Sequence, residues 1–292
     1  MAGNQNQPIR IYEKEYKGIL KSVFNATKAF SGVLAPIQIK DGVQHNAKAF
    51  SVKTNATPVV IGTYSTDSNT AFGTGTGTGS RFGNMTEVIY QDEDVPYSYD
   101  LAIHEGIDRH TVNNDLDVVV AERFELQTEA QTRDMNKKVG KFLSDNAGKT
   151  ENLADLQEGT IKKLFNGIHT YAVNSEISAP MKAYIRSELY SAIVDMASKT
   201  TAKGSSVSID ENKQLKYKGI VLEETAEQYF PTGVVGLVAP DGVVIPFVGI
   251  NTARTIEATE FDGVKLQTAA KGGNYISDDN KKAVVKIAGT LA

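Results

Sequence analysis

A histidine beside a glutamate is the first pairing in this chain that invites chemistry. His104-Glu105 is followed by His110, and these are the residue types of a zinc-hydrolase helix. That chemistry needs its histidines four apart, so that both imidazoles leave one helical face toward the metal. Here they stand six apart on what reads as the approach to a helix, pointing in different directions, and no third ligand is evident. The run GTGTGTG at residues 73–79 is rich in glycine like a phosphate loop. It lacks the Gly-Lys-Ser/Thr that supplies a lysine for phosphate and a hydroxyl for magnesium, and no helix follows it. The histidines are His45, His104, His110 and His169, and no GxSxG elbow accompanies them, so a Ser-His-Asp set has little to draw on. Carboxylate pairs such as Glu223-Glu224 and Asp278-Asp279 are sequence neighbours, whose side chains usually diverge into solvent. Lys137-Lys138 and Lys281-Lys282 carry no interleaved aromatics of the kind that stack bases. Cysteine is absent, which removes disulfides, thiolate metal sites and cysteine nucleophiles. The expectation is a chain that is not an enzyme, with no catalytic residue, no cofactor-binding residue and no metal ligand.

Charge and hydropathy narrow the class further. The formal net charge is -4, so the basic excess of a protein that grips phosphates is missing. A shell enclosing DNA without holding it tightly fits that balance, and so do most cytoplasmic proteins. The polar residues 1–8 contain no apolar signal core, and no run approaches the ~18 apolar residues that span a bilayer. Synthesis and folding in a cytoplasm, with no membrane partner, are expected. With 40% hydrophobic residues over 292 positions, the chain can bury one large core or two smaller ones.

The elements that would position these residues follow from periodicity. Residues 9–35 read as an arm with an amphipathic helix, in which Ile11, Tyr12, Tyr16, Ile19, Leu20, Val23, Phe24 and Phe30 recur at helical spacing. Gly32 and Pro36 end it, and it is either an ordinary surface helix packed on its own domain or an arm that docks on a neighbour. Residues 49–53, 58–61 and 87–91 read as strands. Between the last two, residues 62–83 are nearly all Gly, Thr and Ser apart from Tyr64, Phe72 and Phe82. Such a segment cannot build a core, and flanked by strands it reads as the tip of a long projecting hairpin. A helix is expected over residues 114–145, capped by Asn113 or Asn114, with Asp115, Asp117 and Glu122 early and Lys137, Lys138 and Lys141 late, matching the macrodipole. It spans about 45 Å. Its apolar set is Leu116, Val119, Val120, Phe124, Leu126, Ala130, Val139, Phe142 and Leu143, and Gly140 is a weak point of roughly 1 kcal/mol. Leu126→Asp is therefore expected to unsettle the subunit by burying a charge. An α/β region follows: a helix over 152–171, a strand at 181–185, a helix over 188–197, a polar loop at 203–213, then strands at 219–223, 234–238, 243–248, 252–258, 264–269 and 282–287.

The order of these parts resembles the Hong Kong 97-like major capsid proteins of tailed phages: an N-arm, an E-loop hairpin, a long spine helix, then a P-domain and an A-domain in an α+β fold. NAKAFSVKTNATPVVIGTY (46–64) and RFGNMTEVIYQDEDVPY (81–97) resemble the two limbs of the E-loop in the group infecting Gram-positive bacteria. AIHEGIDRHTVNNDLDVVVAERFELQ (102–127) is similar to the entry to the spine helix. MKAYIRSELYSAI (181–193) is similar to the strand-then-helix step of the A-domain, and FDGVKLQ (261–267) to the closing strands.

The resemblance implies an N-terminal arm over 1–36, the E-loop with its Gly/Thr-rich tip over 37–100, the spine helix and first part of the P-domain over 101–150, mainly A-domain over 151–247, and closing strands over 248–292. It implies a structural protein of the virion, made in the host bacterial cytoplasm and self-assembling through hexamers and pentamers into an icosahedral shell around double-stranded DNA that it does not read by sequence. A portal protein and a separate scaffolding protein are implied partners, since only about 35 residues precede the hairpin. Intersubunit contacts are expected from Tyr16, Leu20 and Phe24 of the arm and from Phe72, Gly73, Gly75, Gly77, Gly79, Arg81 and Phe82 of the tip. Deleting residues 74–79 should then leave a folded subunit that assembles badly. Three other readings stay open: an encapsulin-like nanocompartment with an enzyme cargo, an adhesin using the tip as a receptor loop, and an enzyme with an unrecognised site.

Overall fold

The computed structural model describes residues 28–39, 48–55, 57–68, 70–71, 79–112, 115–198, 207–209 and 215–291. They divide into two compact units, Val43–Tyr97 and the remainder, Met1–Gly42 with Ser98–Ala292.

The larger unit is built around a run that water cannot reach. The sequence VVGLVAP forms strand β10 (Val234–Pro240), and all seven residues are buried, as a central strand covered on both faces requires. In chain order its sheet comprises β5 (Lys149–Asn152), β6 (Met181–Ile185), β7 (Val207–Ile209), β8 (Leu215–Tyr217), β9 (Ile220–Glu224), β10 and β13 (Val285–Ala288). Across the sheet they run β5-β13-β10-β6-β9-β8-β7. Side-chain alternation sorts residues to its two faces. Met181, Ala183 and Ile185 meet Ile161, Leu164, Phe165 and Ile168 of helix α2 (Glu158–Asn174) and Leu189 and Ile193 of α3 (Ser187–Ser198). Tyr184 and Leu237 join the opposite cluster with Phe30, Val33, Val139 and Leu143.

A second sheet in the same unit has the order β1-β11-β12-β4. β11 (Ile245–Glu257) and β12 (Gly263–Tyr275) form a long antiparallel hairpin, β1 (Gln38–Ile39) pairs in parallel with β11, and β4 (Tyr99–Asp108) lines β12 from Asp108↔Gly263 to Tyr99↔Gly272. Helix α1 (Leu116–Asp145) serves both sheets. Leu116, Val119, Val120 and Phe124 pack on Ile107, Val264 and Leu266 of the four-stranded sheet. Within two turns of its other end, Val139 and Leu143 enter the core of the seven-stranded one.

The structure revises several expectations. Asp115, rather than an asparagine, caps α1: its Oδ1 accepts from the Asp117 N–H at 3.1 Å. Leu126 is 43% exposed and Ala130 is exposed too, because the helix changes partner along its length and its buried stripe changes azimuth with it. Leu126→Asp therefore buries no charge. His104 sits on strand β4, and His110 lies in a short 3-10 helix, Arg109–Thr111, so neither occupies an α-helix. The helix expected from 152 begins at Glu158, after strand β5, and β7 falls inside the expected loop at 203–213.

The smaller unit holds the antiparallel pair β2 (Lys48–Thr54) and β3 (Gln91–Pro96), paired from Lys48↔Pro96 to Thr54↔Gln91 with a shift of register between Lys48 and Phe50. Asp94 joins the two strands through an ion pair with Lys48 and by accepting from the Ser51 hydroxyl at 2.7 Å. The residues at 58–61 and 87–90, expected to be strands, join no ladder.

Candidate functional site

Two places in the described residues concentrate features that packing alone does not explain: the middle of the hairpin and the surface where α1 meets β4.

Past Thr54 and Gln91 the hairpin limbs separate, then meet again at a neck. The Ser65 N–H donates to the Arg81 carbonyl at 2.9 Å, and the Arg81 Nε donates to the Thr70 carbonyl at 3.3 Å. The Tyr64 and Phe82 rings meet edge to face, with centroids 5.1 Å apart. Gly83 turns the chain at φ +82° and donates to the Ser80 carbonyl at 2.9 Å; a side chain there would be strained. Between base and neck lie Val59, Val60, Ile61, Met85, Val88, Ile89 and Tyr90, all exposed, with Ile61 at 94% and Met85 at 97%. Contiguous apolar exposure of this kind marks an interaction surface.

On the larger unit a polar clamp fixes α1 to the four-stranded sheet. The Arg123 Nε and Nη2 donate to both oxygens of Glu105 at 2.6 and 2.5 Å, and the Gln127 Nε2 adds a third bond at 2.8 Å. The Thr268 hydroxyl donates to the Gln127 Oε1 at 3.0 Å. The guanidinium holds the Glu105 carboxyl below its ordinary range, and the carboxylate raises Arg123 in turn. On the opposite, open face of that sheet, Arg254 donates to Gln267 at 2.9 Å, and Gln267 lies 3.4 Å from the His104 Nε2. These three line a shallow depression with Ala102, Thr252 and Ala269. Among the described residues, no three His, Asp or Glu side chains gather as a metal site, and no helix is long and apolar enough to cross a membrane.

Of the residues expected to make intersubunit contacts, Tyr16, Leu20, Phe24, Phe72, Gly73, Gly75 and Gly77 lie outside the described residues. Gly79 is exposed at φ +120°, and Arg81 and Phe82 meet in the neck. The sequence reading passed over the apolar limbs as site residues. Their signal was the pair of β-branched runs PVVI and EVI on either side of the glycine tip.

No family profile and no characterised sequence matches the chain. Solved structures do. A capsid of the cyanophage P-SCSP1u superposes with a TM-score of 0.63 at 10% identity, over 92% of this chain and 90% of that one. The mature capsid of bacteriophage PhiM1 gives 0.64 at 10% identity, over 91% and 88%. A virus-like particle from Pyrococcus furiosus gives 0.53 at 14% identity, over 96% and 100%. The chain thus has an α+β fold shared with phage capsid proteins, the Hong Kong 97-like fold.

Proposed function

We propose that this chain is a major capsid protein that self-assembles, through hexamers and pentamers, into the icosahedral shell of a tailed phage around its double-stranded DNA. The observation that carries the reading is the correspondence in fold with phage capsid subunits over about nine tenths of both chains. A hairpin exposing apolar limbs supports it, because such a surface suits a subunit with neighbours. Residues 1–36 act as N-arm, 37–100 as E-loop, 101–150 as spine helix and first part of the P-domain, 151–247 mainly as A-domain, and 248–292 as closing strands. Tyr16, Leu20 and Phe24 of the arm, with Phe72, Gly73, Gly75, Gly77, Gly79, Arg81 and Phe82 of the tip, contact neighbouring subunits. A separate scaffolding protein and a portal protein are its partners, and it carries no catalytic activity. It is made in a bacterial cytoplasm and resides in the virion. The residues of both hairpin limbs support a phage of Gram-positive bacteria.

Its match to the whole Pyrococcus furiosus chain favours, as a second reading, a compartment of the same fold holding a protein cargo. The lower TM-score ranks it second. Negative-stain electron microscopy of purified protein, with size-exclusion chromatography, tests both. Closed shells, tubes or rings of five and six subunits are expected. A strict monomer at high concentration, with and without a candidate scaffold, overturns the shell reading. Copurified protein inside small uniform shells selects the compartment.

A further inference from the structure

The open face of the four-stranded sheet repeats, without its anion, a device that the buried face completes. On the buried side, Arg123 and the Gln127 amide together hold the Glu105 carboxylate by three bonds. On the open side, Arg254, Gln267 and His104 stand abreast on β11, β12 and β4, paired Arg254↔Gln267 and Gln267↔His104. The Arg254 Nε donates to the Gln267 Oε1 at 2.9 Å. With that oxygen occupied, the Gln267 amide nitrogen faces the His104 Nε2 at 3.4 Å. A donor needs an acceptor there, which makes Nε2 the bare nitrogen and puts the neutral ring's hydrogen on Nδ1. The row is left with donors only: the Nη groups of Arg254, the second amide hydrogen of Gln267 and the Nδ1 hydrogen of His104. No hydrogen bond or ion pair among the described residues engages the Nη groups.

An exposed arginine is usually a solvated one. This one is fixed at Nε by side chains that cross three strands, so its outer fork is aimed before any ligand arrives. In the next row, Ala102, Ala269 and Thr252 are small and leave a depression of about 370 Å³, at the lower end of small-ligand sites. Neighbouring carboxylates are engaged elsewhere or distant. Glu260 is taken by Lys265 and Glu257 by Arg109, while Asp100 and Asp108 stand four residues along β4 from His104, about 13 Å.

We propose that Arg254, Gln267 and His104 form a binding site for a carboxylate, which enters the depression and takes the arginine fork as Glu105 takes that of Arg123. A planar group with two oxygens matches the edge of a guanidinium. The site lies wholly within the larger unit and needs no second copy of the chain.

The test is a titration of the isolated subunit with glutarate, read from the imidazole proton resonances. The chain has four histidines, so the His104 signal is identified by its loss in His104→Asn. Glutarate should shift that signal saturably and leave the other histidines in place. Arg254→Gln should weaken binding by about 10-fold or more, the loss of a charge-assisted pair. Ala269→Leu fills the depression without touching a donor and should weaken binding as far, whereas a merely solvated arginine would be indifferent to it. Both positions are exposed, and unchanged signals from the other histidines report that the fold is kept. Inorganic phosphate at the same ionic strength should bind more weakly. A peptide with a single glutamate distinguishes the sources: tighter binding than glutarate assigns the carboxylate to a protein side chain, weaker binding to a small acid, and either keeps the site. The inference is overturned if His104 shows no saturable shift, if the shift survives Arg254→Gln or Ala269→Leu, or if phosphate binds as tightly as glutarate.

Discussion

Gly140 is where the structure makes its sharpest demand on one residue. It lies in α1, nearly seven turns from the N-terminus, where alanine would ordinarily be preferred by about 1 kcal/mol. A Cβ at this position would sit 2.0 Å from the Tyr229 carbonyl oxygen, 3.2 Å from its carbon and 3.4 Å from a Phe30 ring carbon. Ordinary contact begins near 3.4 Å, so the helix or the short turn Glu227–Tyr229 would have to yield by more than an ångström. Neither moves freely: Val139 and Leu143 on either side are buried, as are Phe30 and Tyr229 themselves. Forced overpacking of this kind costs up to about 3 kcal/mol. Set against the gain in propensity, Gly140→Ala should destabilise the isolated subunit by about 2 kcal/mol, a fall of roughly 4–8 °C in Tm. Gly159→Ala is the matched control, since it lies in helix α2 with open space around its Cβ position. It should raise stability by up to about 1 kcal/mol. Denaturant and thermal unfolding of the two variants reads both effects. A Gly140→Ala subunit as stable as its parent, or more so, would refute the close approach of α1 to Tyr229.

Leu126→Asp should leave the midpoint of unfolding within about 0.5 kcal/mol of the parent, because the side chain it replaces faces solvent; a large loss would place Leu126 in a core. Glu105→Gln breaks the bidentate bond to Arg123 and should cost about 1 kcal/mol, kept small by the exposure of the guanidinium. Because the folded carboxyl lies below its ordinary value of 4.5, that difference should be complete above about pH 5 and vanish as pH falls through the folded value. A gap that widened in acid would be the contrary result. Deleting residues 74–79 should give a subunit with unchanged melting but a low yield of particles, measured by size-exclusion chromatography; a normal yield would remove the tip from assembly.

What the sequence disclosed depended on how many partners each element serves. β10 was legible because burial on both faces writes an uninterrupted apolar run. Helix α1 was legible in extent, since its charges and spacing agree over 30 residues, but its buried face was not. A single stripe was assumed, whereas Phe124 serves one sheet and Leu143 the other, which left Leu126 on the wrong side. β4 was hidden by Glu105. A carboxylate in the inward register of Ile103 and Ile107 interrupts the period of two, and Arg123 and Gln127 of α1, 18 and 22 residues away, make it acceptable there. The limbs at 58–61 and 87–90 were read as strands on β-branched content alone; the chain by itself supplies the composition without a cover for the ladder. Gly140 looked like a defect because its reason lies at Tyr229, far away in sequence.

The open hairpin also bears on when association starts. A long, flat, apolar ribbon with free edges would pair with any other copy it met. Limbs that stand apart, with Glu87, Asp92 and Glu93 exposed on one of them, present no continuous edge of that kind.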